Sequence, residues 1–438
     1  MRVVVRPARR LIGALQVPGD KSISHRAALI GALASGPTEV SGFLEALDCL
    51  NTLRALEALG VEVTRKGPGE YRIQGVGSRT LQEPDRILEC GNSGTSARLL
   101  LGLLAGQPFW SVLTGDDSLS RRPMERVTLP LRQMGATVVG RQDGARLPLA
   151  IRGRRPLRGG QYQLPVASAQ VKSALLLAGL HADGQVTVEE PETSRDHTER
   201  MLSRFGARVD REGCRVTISP GAELKGQPVQ VPGDFSSAAF FLPLGCLLPD
   251  SELTIRGVGV NPTRTGFLEA LREMGADVRV NDQADEGEPT ATLRASASRL
   301  TGVRVGGALI PRLIDELPAL AVAAALAQGV TEVRDARELR IKESDRIFTL
   351  ATELAKLGVR IEEREDGFLI RGGSSLTGAR VRSHGDHRVA MALIVAGLLA
   401  SGQTVVEDTA CIATSFPEFI PTLQALMGDE CVTVEESR

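Results

Sequence analysis

Glu273-Met274-Gly275-Ala276-Asp277-Val278-Arg279-Val280 reads as the last turn of a helix, a glycine that turns the chain, and the opening of a strand. The glycine takes a left-handed backbone that other residues resist, so it ends the helix and lets a β-rich run begin. The same phrase occurs at Gly60 (ALGVEV), Gly135 (QMGATVV), Gly206 (RFGARV), Gly358 (KLGVRIE) and Gly428 (LMGDECVTV). Successive glycines are 75, 71, 69, 83 and 70 residues apart. Dividing the 438 residues by six gives 73, so six units fill the chain with little left over.

Each unit has a common grammar. An Ala/Leu-rich helix comes first, at 27–34, 97–105, 171–180, 237–248, 317–327 and 389–400. It is apolar nearly all round, so it is expected to be buried. A short strand follows, as at 38–40, 186–188, 252–255, 331–333 and 404–406. The second helix carries apolar residues on one face, as in Leu268, Leu271 and Met274, or Leu350, Leu354 and Leu357. The expected fold class is therefore α/β (α+β), with sheets covering buried helices. A period near 74 exceeds the usual solenoid repeat of about 20–50 residues and favours closed domains. Three units make a reasonable large domain. Val17-Pro18-Gly19-Asp20 recurs as Val231-Pro232-Gly233-Asp234, before unit one and between units three and four. The paired strings predict crossovers near 17–20 and 231–234 between two similar halves.

Composition narrows the function. The net charge is −1, aromatics are 3%, and the pI is about 6.6. A general nucleic-acid binder needs a basic surface and stacking platforms, so that class is disfavoured. The six cysteines contain no CxxC pair, which argues against zinc, and all six are expected to be reduced. Residues 1–15 are basic without an apolar h-region, so no signal peptide is expected. The longest apolar runs fall short of a membrane span, and the expected location is cytoplasmic.

Polar residues that break pattern gather where the buried helices begin. Lys21, Ser22 and Arg26 follow Asp20. Asn92, Gly94 and Arg98 lie in CGNSGTSAR, and Arg122 in SRRPM. Ser168, Ala169, Gln170 and Lys172 open a third helix, with Arg195 and His197 downstream. Asp315, Lys342, Glu343, Arg346, Asp386 and Arg388 occupy the last three helix starts. A capped helix with solvated charges explains any one of these turns. Asp315 and Asp386 read most simply as N-caps, the Arg121-Arg122 pair as a solvated turn, and His197 as structural. Basic residues at a helix N-terminus oppose its dipole, however. The same exception at Lys21, Arg26, Arg98, Lys172, Lys342, Arg346 and Arg388 points to bound anions. Asp315 and Glu343 would then be carboxylates in a positive field. Cations keep such groups ionised and burial raises their pKa, so the pair can serve as base and acid.

At these residues the sequence resembles the 5-enolpyruvylshikimate-3-phosphate synthase family, enolpyruvyl transferases of the shikimate pathway. PGDKSISHR, GNSGTSAR, RRPM, ASAQVKSALLLAG, IDELPALAVAAALA, RIKESDR and GDHRVAM occur in order along nearly the whole chain. The resemblance implies two similar domains, each of three βαβαββ units around buried helices, with an inter-domain cleft. The first would span 21–233, mainly on the shikimate 3-phosphate side. The second would join 1–20 to 234–438, mainly on the phosphoenolpyruvate side. Lys21, Ser22, Arg26, Ser168, Ala169, Gln170, Arg195, Asp315 and Lys342 would hold shikimate 3-phosphate. Lys21, Asn92, Gly94, Arg122, Gln170, Arg346 and Arg388 would hold phosphoenolpyruvate. Asp315 would act as base on the 5-hydroxyl and Glu343 as acid on the methylene carbon, with Lys21 beside them. The resemblance implies no metal, no organic cofactor and a monomer.

The chain departs from the plant and enteric pattern at Leu99, Ala169, Arg195-Asp196-His197 and Thr414. Thr414 stands where a phosphoenolpyruvate-binding Lys is common. Some relatives that resist glyphosate carry Ala at the Gly94 position, so glycine there implies sensitivity. The sister transferase acting on UDP-N-acetylglucosamine is disfavoured, because Ser22 rather than Asn follows Lys21 and no cysteine stands at the acid position. A non-enzymatic anion- or RNA-binding repeat is disfavoured by the charge balance and the Asp315/Glu343 pair.

Overall fold

The computed structural model describes residues 1–77, 81–285 and 287–435. All six phrase glycines have positive φ, from 82° to 103°. After five of them the next amide bonds back to the carbonyl five residues earlier, as Ala276 does to Leu271 and Val359 to Leu354. This closure satisfies the last orphan carbonyls of the helix and aims the chain into a strand. Gly428 differs, donating instead to the Gln424 carbonyl.

Among the described residues the strands form six four-stranded sheets with one repeated order. Arg304–Val305 pairs parallel with Val330–Val333, which pairs antiparallel with Gly367–Arg371, and Arg360–Arg364 closes the hairpin. The parallel pair needs a crossover, and the Leu317–Leu326 helix supplies it. That helix is buried from Leu317 to Ala325, whereas Arg346–Lys356 buries one face through Ile347, Leu350 and Leu354. The expected helix at 237–248 is instead two, Phe235–Ala239 and Leu242–Leu247. Pro243 lacks the N–H that would continue the ladder, and its ring crowds the preceding turn.

Three sheets borrow a strand from a distant part of the chain. Val229–Gln230 joins Ser35–Ser41, Ile12–Gln16 joins Glu252–Gly259, and Arg2–Val5 lies between Thr404–Glu407 and Val432–Glu435. Two compact units result: Gly19–Val231, and Met1–Pro18 with Pro232–Arg438. Each has its own apolar core. The divisions fall two residues before the expected 20/21 and 233/234. Gly19 belongs with the first unit because a Cβ there would lie 1.8 Å from the Gly42 carbonyl oxygen. Asp20 caps the Lys21–Leu33 helix, accepting from the Ile23 amide at 2.9 Å. Gly233 and Asp234 are tied to the other unit, donating to the Gly257 and Pro18 carbonyls at 2.8 Å. No helix among the described residues is long and apolar enough to cross a membrane.

Candidate active site

In the Gly19–Val231 unit, basic residues gather at the starts of three buried helices. Lys21 Nζ donates to Asp48 Oδ2 at 3.1 Å, from the first turn of the neighbouring Leu47–Ala58 helix. Arg26 is buried; its nitrogens reach Thr198 Oγ1 at 2.6 Å, the Ser22 carbonyl at 2.8 Å and Ser173 Oγ at 2.8 Å. Its guanidinium thus couples the Ser22 backbone to two helices more than 140 residues away in sequence. Ser93 caps the Gly94–Ala105 helix. A Cβ on Gly94 would come within 2.8 Å of one Arg98 terminal nitrogen and 3.4 Å of one on Arg122. Glycine therefore leaves a small gap beside two guanidinium groups.

Arg121 and Arg122 part ways. Arg121 is exposed, while Arg122 is buried and donates to Asn92 Oδ1 at 2.7 Å. Asn92 in turn donates to Asp116 at 2.6 Å. Gln170 accepts from Arg98 at 2.6 Å and donates to Thr95 at 2.9 Å, bridging two helix starts. Ser168 caps Ala169–Gly179 through the Val171 amide, and the Ala169 carbonyl accepts from Ser173 Oγ. Arg195 is half-buried just before the His197–Arg204 helix, and His197 is buried as expected of a structural residue. Lys172 does not behave as an anion ligand. It is enclosed, with Glu190 at 2.7 Å and Glu199 at 2.9 Å from its ammonium. Its exception to the dipole rule is answered within the protein.

In the other unit, Asp315 and Asp386 separate. Asp386 is an N-cap, accepting from the Arg388 and Val389 amides. Asp315 is not the N-cap, because Glu316 occupies that position for Leu317–Leu326. Asp315 instead meets three cations: Lys342 at 3.7 Å, Arg346 at 3.4 Å and Arg388 at 3.7 Å. Its carbonyl also accepts from Arg388 at 3.1 Å. Glu343 accepts from Arg346 at 2.5 Å. Arg346 completes its ring of partners with Asp386 at 2.8 Å. Burial opposes its charge, but Asp386, Glu343 and Asp315 outweigh that and hold the guanidinium above its ordinary range. One arginine thus ties both candidate carboxylates to a buried helix cap. Thr414 offers no charge here, and its hydroxyl donates back to the Cys411 carbonyl at 2.7 Å.

Asp48 and Thr198 escaped the sequence reading, and so did the pairing of Ser173 with Arg26. Each sits mid-helix or in a first turn whose residue types are ordinary, and only side-chain pairing across helices reveals them. His25 is the clearest such case. It is fully buried and bonds Thr52 at 2.8 Å, with burial, Lys21 and Arg26 pushing its pKa well below the ordinary value.

A family profile described as EPSP synthase (3-phosphoshikimate 1-carboxyvinyltransferase) matches residues 5–423. A 3-phosphoshikimate 1-carboxyvinyltransferase of Desulforudis audaxviator is 54% identical over 427 residues, covering 97% of this chain and 99% of the relative. One from Geobacter sulfurreducens is 55% identical over 418 residues, covering 95% and 97%. A solved structure of EPSP synthase from Acinetobacter baumannii superposes with a TM-score of 0.88 at 44% identity, over 99% of this chain and 100% of that one. With the six-unit fold, the ordered motifs and matches of this length, the chain belongs to the EPSP synthase (3-phosphoshikimate 1-carboxyvinyltransferase) family.

Proposed function

We infer that the chain transfers the enolpyruvyl group of phosphoenolpyruvate to the 5-hydroxyl of shikimate 3-phosphate, releasing phosphate, with the clustered residues dividing the work as follows. Lys21, Ser22, Arg26, Ser168, Ala169, Gln170 and Arg195, with Asp315 and Lys342, hold shikimate 3-phosphate. Lys21, Asn92, Gly94, Arg122, Gln170, Arg346 and Arg388 hold phosphoenolpyruvate. The observation that carries the assignment is Arg346, which links Asp315 and Glu343 in one unit while Lys342 and Arg388 flank Asp315.

Glu343 protonates the methylene carbon of phosphoenolpyruvate, which leaves its neighbouring carbon electrophilic. Asp315 takes the proton of the 5-hydroxyl as that oxygen attacks, and a tetrahedral intermediate forms. Loss of a proton from the new methyl group and expulsion of phosphate then restore the vinyl group. Before substrate arrives, Glu343 is paired to Arg346 at 2.5 Å. An arriving phosphoenolpyruvate anion competes for that guanidinium, which raises the affinity of Glu343 for a proton when one is needed. Fixed cations matched to the leaving phosphate supply the electrostatic part of the rate. The chain functions as a monomer in the cytoplasm.

Phosphate release from phosphoenolpyruvate tests this reading directly. Release should require shikimate 3-phosphate. Release with UDP-N-acetylglucosamine instead would move the chain to the sister activity, and release with neither acceptor would refute the transfer.

A further inference from the structure

Lys172, Glu190 and Glu199 form a charged cluster that none of these roles uses, and each side chain is 1% exposed. Burial pushes the Lys172 ammonium down, but Glu199 and Glu190 outweigh it and hold its pKa above the ordinary value. Buried ion clusters are costly to desolvate and often add no stability over apolar side chains of the same volume. What else Glu190 holds accounts for the arrangement. Its carboxylate accepts from the Ser168 amide at 2.8 Å and from the Ser194 hydroxyl at 2.7 and 2.8 Å. The Ser194 amide reaches it at 3.4 Å, and Lys172 reaches the Ser194 carbonyl at 3.4 Å. One carboxylate therefore ties the cap of the Ala169–Gly179 helix to the residue preceding Arg195. Lys172, one turn into that helix, holds the carboxylate and is itself paired with Glu199, in the helix after Arg195.

We propose that Glu190, fixed by Lys172, which Glu199 pairs in turn, is a positioning residue that sets the spacing of Ser168 and Arg195 for shikimate 3-phosphate. The proposal rests on the reading that those two residues hold this substrate. Recognition of a phosphorylated ligand needs donors placed within about 0.5 Å, which a loop and a helix start lack unless a rigid group joins them.

Glu190→Gln tests it. The amide keeps the shape but turns one accepting oxygen into a donor, facing groups that also donate. Steady-state kinetics and calorimetric binding of shikimate 3-phosphate alone provide the readouts. KM and Kd for shikimate 3-phosphate should rise at least tenfold, with KM for phosphoenolpyruvate within twofold and kcat within threefold of the parent. Ser194→Ala removes one donor with little risk to folding and should move the same two constants severalfold in the same direction. If Glu190→Gln does not fold, Ser194→Ala decides the question. A folded variant with unchanged shikimate 3-phosphate constants overturns the proposal, and so does a uniform loss in both substrates and kcat. Arg195→Ala separates the two layers. Unchanged constants there remove the ligand assignment and the proposal with it. A damaged Arg195→Ala beside an unaffected Glu190→Gln removes the positioning role alone.

Discussion

Arg346→Met is the perturbation that asks most of the structure. Arg346 is 1% exposed and contacts Asp386 at 2.8 Å, Glu343 at 2.5 Å and Asp315 at 3.4 Å. Methionine keeps the length and apolar volume of the stem and removes the charge. Asp386 is fully buried and retains the Arg388 and Val389 amides and the Ser344 hydroxyl, but it loses its cation. Removing one partner of a buried pair costs about 3–5 kcal/mol. For a unit of this size that corresponds to a fall of about 6–20 °C in unfolding temperature. Thermal and denaturant unfolding of variant and parent measure this difference. Turnover should fall by about 100-fold or more, because charge-assisted contacts of about 1.5–3 kcal/mol each are lost at Glu343 and at the substrate. A variant within about 1 kcal/mol of the parent, the size of one ordinary hydrogen bond, would refute the account of Arg346 as the hub.

Asp315→Asn keeps the shape of the base without its function, so turnover should be abolished while calorimetry still detects shikimate 3-phosphate binding; near-normal turnover removes the base assignment. His25 is neutral when folded, its pKa held well below 6.5, so the unfolded chain takes up its proton first and stability is lost as pH falls below about 6.5. His25→Asn should flatten that acid limb by up to about 1.4 kcal/mol per pH unit in denaturant titrations between pH 5 and 6.5, and an unchanged slope counts against a neutral buried imidazole. The parent should be inhibited by glyphosate in competition with phosphoenolpyruvate. Gly94→Ala places a methyl group 2.8 Å from an Arg98 nitrogen, so the inhibition constant and the KM for phosphoenolpyruvate should both rise at least severalfold. Equal inhibition of parent and variant would show that the gap at Gly94 does not admit the ligand.

Much of the fold was legible because its signals are local. A glycine at positive φ after an amphipathic helix needs only a few neighbouring residues to be recognised, and six copies at a near-constant spacing set the unit count. The all-apolar run 317–327 could only be a buried helix. The break between Ala239 and Leu242 was less legible, since Phe240 and Phe241 are apolar like their neighbours and Pro243 alone marks it. The candidate site residues stood out as basic side chains at helix starts, yet that pattern did not separate a ligand-facing cation from an internally paired one. Lys172 and Arg346 look alike in sequence. One is enclosed by Glu190 and Glu199, and the other gathers the carboxylates to which the chemistry is assigned.

Asp315 and Glu316 show where the line falls. Their identity, and the turn into an apolar helix, are written in consecutive residues. Which carboxylate serves the site depends on the direction each side chain takes at the helix start and on partners far along the chain. Glu316 is buried and accepts from Ser236, 80 residues earlier. Asp315, one residue before it, turns to Lys342, Arg346 and Arg388. The sequence by itself determined the repeat, the capping glycines, the buried helices and the chemistry available at their starts, because these follow from backbone preference and local apolar pattern. Only the tertiary structure decided which strand completes which sheet and which charges pair inside, because pairing depends on distances between segments that no local pattern encodes.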